Sequence, residues 1–139
     1  MRIYGGKDPT AVYGFILDLP CRLRWARYYH EQVYAFDVLS LPTEEAAEEL
    51  TLMEQVIRTI IPRMIYYEFP SLPRVQDTLL PIDPEPGATQ VQYVFALRDN
   101  SSKESKTVPL RNSDIQRVRL RLGLGDQKPK WYEMYRYVC

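Results

Sequence analysis

Residues 114–125, "DIQRVRLRLGLG", decide what kind of fold this chain adopts around its C-terminal third. Read two residues at a time, Val118, Leu120, Leu122 and Leu124 alternate with Arg117, Arg119, Arg121 and Gly123. That is the period of a half-buried strand carrying an arginine comb. Read at helical spacing, Ile115, Val118 and Leu122 share one face, Arg117 and Arg121 stay together, and Arg119 turns away from them. The local signals separate the two. Ser113 followed by Gln116 has the spacing of a capping box, and Gly123 stands where a C-cap glycine belongs. Arg, Leu and Gln favour helix, and only Ile115 and Val118 are β-branched. The stretch is predicted as a helix from about 113 to 122.

The flanking segments follow from the same rules. "WYEMYRYV" reads as a strand near 131–138, with Trp131, Glu133, Tyr135 and Tyr137 on one face. Upstream, "QVQYVFAL" alternates as a strand near 90–98, and "RDNSSKESK" is a polar turn. "TVPL" then returns as a hairpin partner near 105–110. The proline-rich "PSLPRVQDTLLPIDPEPGATQ" has no period and is expected as an extended connection at about 70–88. Before it, Ala46, Leu50, Met53, Ile57, Ile60 and Met64 step by fours and threes, predicting a helix near 43–61. Thr43 is its expected N-cap, with Glu44 and Glu45 at the positive end of the dipole. Pro62 is expected to kink or end it, releasing "RMIYYEF" toward a strand. A further helix, near 20–37, starts behind Asp18 with Pro20 in its first turn. Its expected core stripe is Trp25, Tyr29, Val33 and Phe36, with Arg22, Arg24 and Arg27 away from the centre. "AVYGFILDL" precedes it as a strand near 11–18. The sum is an α+β fold: one small, mainly antiparallel sheet, two longer helices packed on one face and a short C-terminal helix.

A chain of 139 residues, 45% hydrophobic, fits one domain spanning 1–139. No run approaches the roughly 18 apolar residues that span a bilayer, and "MRIYGGKDP" lacks a signal-peptide core. Two cysteines, Cys21 and Cys139, make no disulfide framework. The expectation is a soluble, intracellular protein of a reducing compartment, with no membrane partner. Eighteen basic and eighteen acidic residues cancel, so no whole-molecule field draws the chain to a polyanion. The zero conceals a division. Residues 37–86 hold three basic and ten acidic side chains, and residues 101–139 hold nine basic and four acidic.

Catalytic material is thin. His30 is the only histidine, and two cysteines with one histidine do not furnish a zinc site. Glu44, Glu45, Glu48 and Glu49 read as a solvated helix face. Cys21 stands near a helix N-terminus, but His30 is roughly 13 Å further along the same helix and is not its base. Gly123 and Gly125 lack the spacing of a phosphate-binding loop and read as a helix stop and a turn. Arg24 and His30 in "RWARYYH" resemble, in spacing, the arginine–histidine motif of HEPN-type ribonucleases, which implies RNA cleavage across a helical dimer. The polar residue that follows the arginine in that family is Trp25 here, and the family is all-helical. No catalytic residue, metal or cofactor is expected, and the chain reads as a non-enzyme.

The basic tail carries the functional reading. Arg117, Arg119, Arg121, Lys128, Lys130 and Arg136 are interleaved with Trp131, Tyr132, Tyr135 and Tyr137. Arg, Trp and Tyr dominate protein–protein hot spots. The same types form stacking platforms for RNA or single-stranded DNA. The acidic middle favours the first: a protein-binding adaptor, regulatory factor or subunit of a multiprotein complex. A small RNA- or DNA-binding protein is the alternative.

Overall fold

The computed structural model describes residues 8–83 and 91–135. Its order is β1 (Ala11–Leu17), α1 (Leu19–Tyr34), a 3-10 turn (Val38–Ser40), α2 (Thr43–Glu68), β2 (Leu80–Ile82), β3 (Gln92–Asp99), α3 (Lys103–Lys106), α4 (Asn112–Leu122) and β4 (Lys130–Glu133). The fold is α+β, with an antiparallel four-stranded sheet in the order β2-β3-β1-β4. The sheet curls until its ends meet. Ile82 bridges Met134, Asp83 N–H donates to the Glu133 carbonyl, and Tyr135 N–H donates to the Pro81 carbonyl.

Curling gives the sheet two cores. Phe15 and Leu17 of β1 and Phe95 and Leu97 of β3 face the helices. There they meet Cys21 and Ala26 of α1, Met53, Ile57, Ile61 and Ile65 of α2, and Val118 and Leu122 of α4. Val12, Leu80, Ile82, Val94 and Ala96 fill the inside of the curl, joined by Ile16, Tyr132 and Met134. β1 is thus buried on both faces, as its near-continuous apolar sequence requires. Gln127 extends its pairing with β4: the side-chain amide accepts from Ile16 N–H (2.7 Å) and donates to Ile16 C=O (3.0 Å), as a strand backbone would.

The helix expected near 20–37 is α1, and Asp18 caps it by accepting from Cys21 N–H at 2.9 Å. Trp25 and Tyr29 of the predicted stripe do pack against the core, but the fully buried line is Arg22, Ala26 and His30, and Val33 and Phe36 are exposed. The expected helix 113–122 is α4, closed by Gly123 at φ 70°. It begins one residue earlier, so Ser113 lies inside the first turn and makes no capping box.

Four segments depart from expectation. α2 does not stop near 61 but runs through Pro62 to Glu68, so "RMIYYEF" forms no strand. Pro62 has no N–H, which frees the Arg58 carbonyl. That carbonyl accepts from Leu79 N–H (2.7 Å) and Thr78 Oγ1 (3.3 Å), and the chain enters β2 from there. The connection expected at 70–88 therefore contains a strand; residues 84–88 lie outside the described residues. Finally, 105–110 is not a strand. Ser102 caps the short α3 instead, and the chain beyond is tied to β3 by the Arg98 guanidinium, whose Nε donates to the Val108 carbonyl (2.8 Å). Pro109 lacks the amide a ladder needs. The last strand runs 130–133 rather than 131–138, with 136–139 outside the described residues.

Candidate interaction surfaces

The structure divides the predicted tail between two places. On α4, Arg117 is exposed and Arg119 is half-buried, its Nε without a hydrogen-bond partner among the described residues. Arg121 reaches across to the helices, where Nε meets Glu68 at 2.7 Å, an N–H approaches Met64 Sδ at 3.3 Å, and the guanidinium lies over Trp25 (5.3 Å). Arg121 thereby closes a groove of about 320 Å³ lined by Arg24, Trp25, Tyr28, Leu122 and Gly123. Trp25 and Tyr28 meet edge to face at 6.0 Å.

The remaining tail residues belong to the sheet or its approach. Lys128 and Lys130 are exposed. Trp131 packs on Tyr13 of β1 (5.5 Å), and Arg98 lies over the other partner of that pair, Tyr13, at 5.5 Å. Tyr132 turns the other way, half-buried in the curl core, while Tyr135 is exposed. Arg136 and Tyr137 lie outside the described residues. Position along the chain brought these ten together; the alternation of β4 and the phase of α4 separate the eight that are described.

A surface without a signal in the tail lies at the α1–α2 corner. α2 is about 39 Å long, whereas the longest strand, β3, is about 27 Å. The hairpin end therefore overhangs the sheet. Beyond Tyr29 on α1 and before Leu50 on α2, no side chain joins the main core; Val38 and Ala46 are buried locally. Val33 (57% exposed), Tyr34 (52%), Phe36 (41%) and Leu39 (51%) project there. The corner has a defined turn. Ala35 adopts a left-handed conformation, and Asp37 accepts from Leu39 N–H (3.0 Å) and pairs with Arg27 (2.6 Å). The Arg27 bonds, followed by the Leu39 amide, hold the Asp37 carboxyl below its ordinary range. Glu44, Glu45 and Glu48 stand exposed on the neighbouring turns.

His30 is buried beneath this corner, its ring 4.5 Å from Tyr34 and 5.3 Å from Phe36, with Nε2 3.7 Å from Glu49. Arg24 is exposed and about 120° away around α1 from the buried His30, so the two do not converge as the ribonuclease motif requires. Cys21 is buried, its Sγ 3.8 Å from the Leu122 carbonyl, and burial pushes its thiol pKa up, away from nucleophilic reactivity. Among the described residues no cluster of His, Cys, Asp and Glu is placed to hold a metal, and no helix is long and apolar enough to cross a membrane.

The sequence also concealed a charged network. Arg22, expected away from the centre of the α1 stripe, is buried against Glu54 of α2, and Arg58 grips the same carboxylate through Nε (3.1 Å) and a terminal nitrogen (2.5 Å). Glu54 and Arg58 have a recognisable i,i+4 spacing. Nothing local marks Arg22 as their partner. Compared with protein-family models, with curated proteins and with solved structures, the chain finds no match in any of the three.

Proposed function

We propose that this chain is a non-enzymatic protein-binding module, an adaptor, regulatory factor or complex subunit, that docks through the overhanging α1–α2 corner. The observation that supports this reading is the grouping of Val33, Tyr34, Phe36 and Leu39 on seven consecutive residues, exposed and held by a fixed turn. Single exposed apolar residues are ordinary, but a contiguous apolar cluster on the surface is the mark of an interaction site. The glutamates beside it disfavour a polyanion and favour a partner with an apolar centre and a basic rim.

A second reading, RNA or DNA binding, draws on the groove where Arg24 and Arg121 flank Trp25 and Tyr28. Rings beside guanidinium groups suit stacked bases and phosphates. One experiment separates the two. The tagged chain is purified from its native cell, and co-purifying material is read by mass spectrometry and by absorbance at 260 nm. The protein reading expects a defined protein that survives high salt, is lost with Val33→Gln plus Leu39→Ser, and is kept with Arg24→Glu. Nucleic acid that is released by salt and lost with Arg24→Glu would replace it with the second reading.

A further inference from the structure

Between α1, α2 and the start of β3 lies a groove of about 370 Å³ lined by Leu19, Arg22, Leu23, Thr51, Glu54, Arg58, Val91 and Tyr93. Its floor is charged. Arg22 is only 3% exposed and Glu54 4%. The Arg22 guanidinium bonds to Glu54 and donates from Nε to the Leu17 carbonyl (3.0 Å) and from a terminal nitrogen to the Val91 carbonyl (3.4 Å). Arg58 holds Glu54 with two nitrogens and donates from the third to the Tyr93 hydroxyl (2.8 Å). Both guanidinium groups lie over the Tyr93 ring, at 4.7 and 4.2 Å.

Two cations therefore share one carboxylate. Arg22 and Glu54 are buried, whereas the Arg58 side chain is 29% exposed, so the excess positive charge stands on the groove's open side, within reach of a ligand. A guanidinium carries five N–H donors, so each arginine retains donors beyond the bonds just named. The remaining walls, Leu19, Leu23 and Val91, are apolar. We infer that this groove binds a small organic anion. Its carboxylate or phosphate would accept from Arg22 and Arg58, and its apolar body would lie against Leu19, Leu23 and Val91. An oxyanion there supplies the second negative charge and matches the guanidinium fork. Volume agrees, since small-molecule sites begin at about 300 Å³. This assignment is independent of the protein-docking reading, because it uses none of the corner residues.

Calorimetric titration of the whole chain tests it, with inorganic phosphate and hexanoate as separate probes and chloride at matched ionic strength as the reference. The expected result is saturable one-to-one binding of at least one probe, which also distinguishes a phosphate-bearing from a carboxylate-bearing ligand. Arg58→Gln should abolish the binding. Thr51→Glu, which places a carboxylate at the exposed lip without touching the triad, should weaken it about tenfold, and Thr51→Gln should not. If Arg58→Gln fails to fold, the Thr51 pair decides alone. Heat no greater than that of chloride for both probes, or binding indifferent to Thr51→Glu, would overturn the assignment and leave the triad as a clamp between α1, α2 and β3.

Discussion

Gly14 shows how closely β1 and β3 approach. A Cβ built on it would lie 1.9 Å from the Phe95 carbonyl oxygen, beside the irregularity in register between Tyr13 and Gly14. The obstruction is backbone and cannot swing aside. Gly14→Ala should therefore cost roughly 3 kcal/mol in urea unfolding, at the upper end of overpacking costs. Ala35 presents the opposite case. It sits at φ 63° after the last turn of α1, a conformation that glycine adopts freely and alanine does not. Ala35→Gly should stabilise the protein by about 1 kcal/mol in the same measurement. Cys21 is a residue whose chemistry burial suppresses. Its thiol pKa is raised by burial, as is the phenol of Tyr66, so the folded state holds both protons more tightly than the unfolded chain. The stabilisation this gives is complete below the unfolded thiol pKa and is lost as pH rises through the raised folded values. Stability should accordingly fall on the alkaline side, and peptide mapping should find Cys21 alkylated by iodoacetamide in denaturant but not in the native protein. Alkylation of Cys21 at the native rate of an exposed thiol would contradict its burial.

At the scale of elements, Pro62 is more than a tolerated interruption. By withholding an amide it leaves the Arg58 carbonyl to Leu79 and Thr78, and so fixes where the proline-rich chain turns into β2. The amide introduced by Pro62→Ala would reclaim that carbonyl. Hydrogen exchange at Leu79 should then accelerate by an order of magnitude or more, while the interior of α2 keeps its protection. Unchanged exchange at Leu79 would mean that β2, not the carbonyl, holds the segment. β4 gives a second contrast. Trp131 and Tyr132 look alike in the sequence, yet one stacks on the outer Tyr13 and the other enters the curl core. Tyr132→Ala should cost about 2–4 kcal/mol and Trp131→Ala about 1 kcal/mol or less by the same unfolding assay.

These elements also mark how far the sequence could be read. Helix starts and stops at Asp18 and Gly123 were legible because capping is local. The stripe of α2 was legible as far as Ile57. Beyond it the buried residues become Ile61 and Ile65 rather than Ile60 and Met64, the inclined i+4 line of a helix crossing its neighbours at an angle. β2 and the α1 phase were not legible, because both depend on distant partners: a carbonyl freed in α2, and a carboxylate that draws Arg22 inward. The candidate surface was legible only as residue types. Aromatic and basic residues are grouped along the tail by position, whereas Val33 and Phe36 of the expected α1 stripe stand exposed.

Across the whole molecule, burial is unevenly distributed, and that has a measurable consequence. The sheet lies between two cores and the middle of α2 packs into the larger one, whereas the α1–α2 corner rests on Val38, Ala46 and the His30 ring cluster. Segments with few buried apolar contacts open locally, at a free energy well below that of global unfolding. Native-state hydrogen exchange should thus separate two classes. Amides in the last turn of α1 and the first two turns of α2 should exchange through small openings that respond little to low denaturant. Those of residues 53–66 and 93–97 should exchange only with global unfolding, and their rates should rise steeply with denaturant. The corner amides should slow when a protein partner covers Val33, Phe36 and Leu39, because that contact supplies the burial the overhang lacks. Self-association provides the internal control: protection at the corner that rises with protein concentration would identify a second copy of the chain as that partner. Global-level protection at the corner in dilute monomer would show that the hairpin end is anchored without any partner, and would remove the physical basis for docking there.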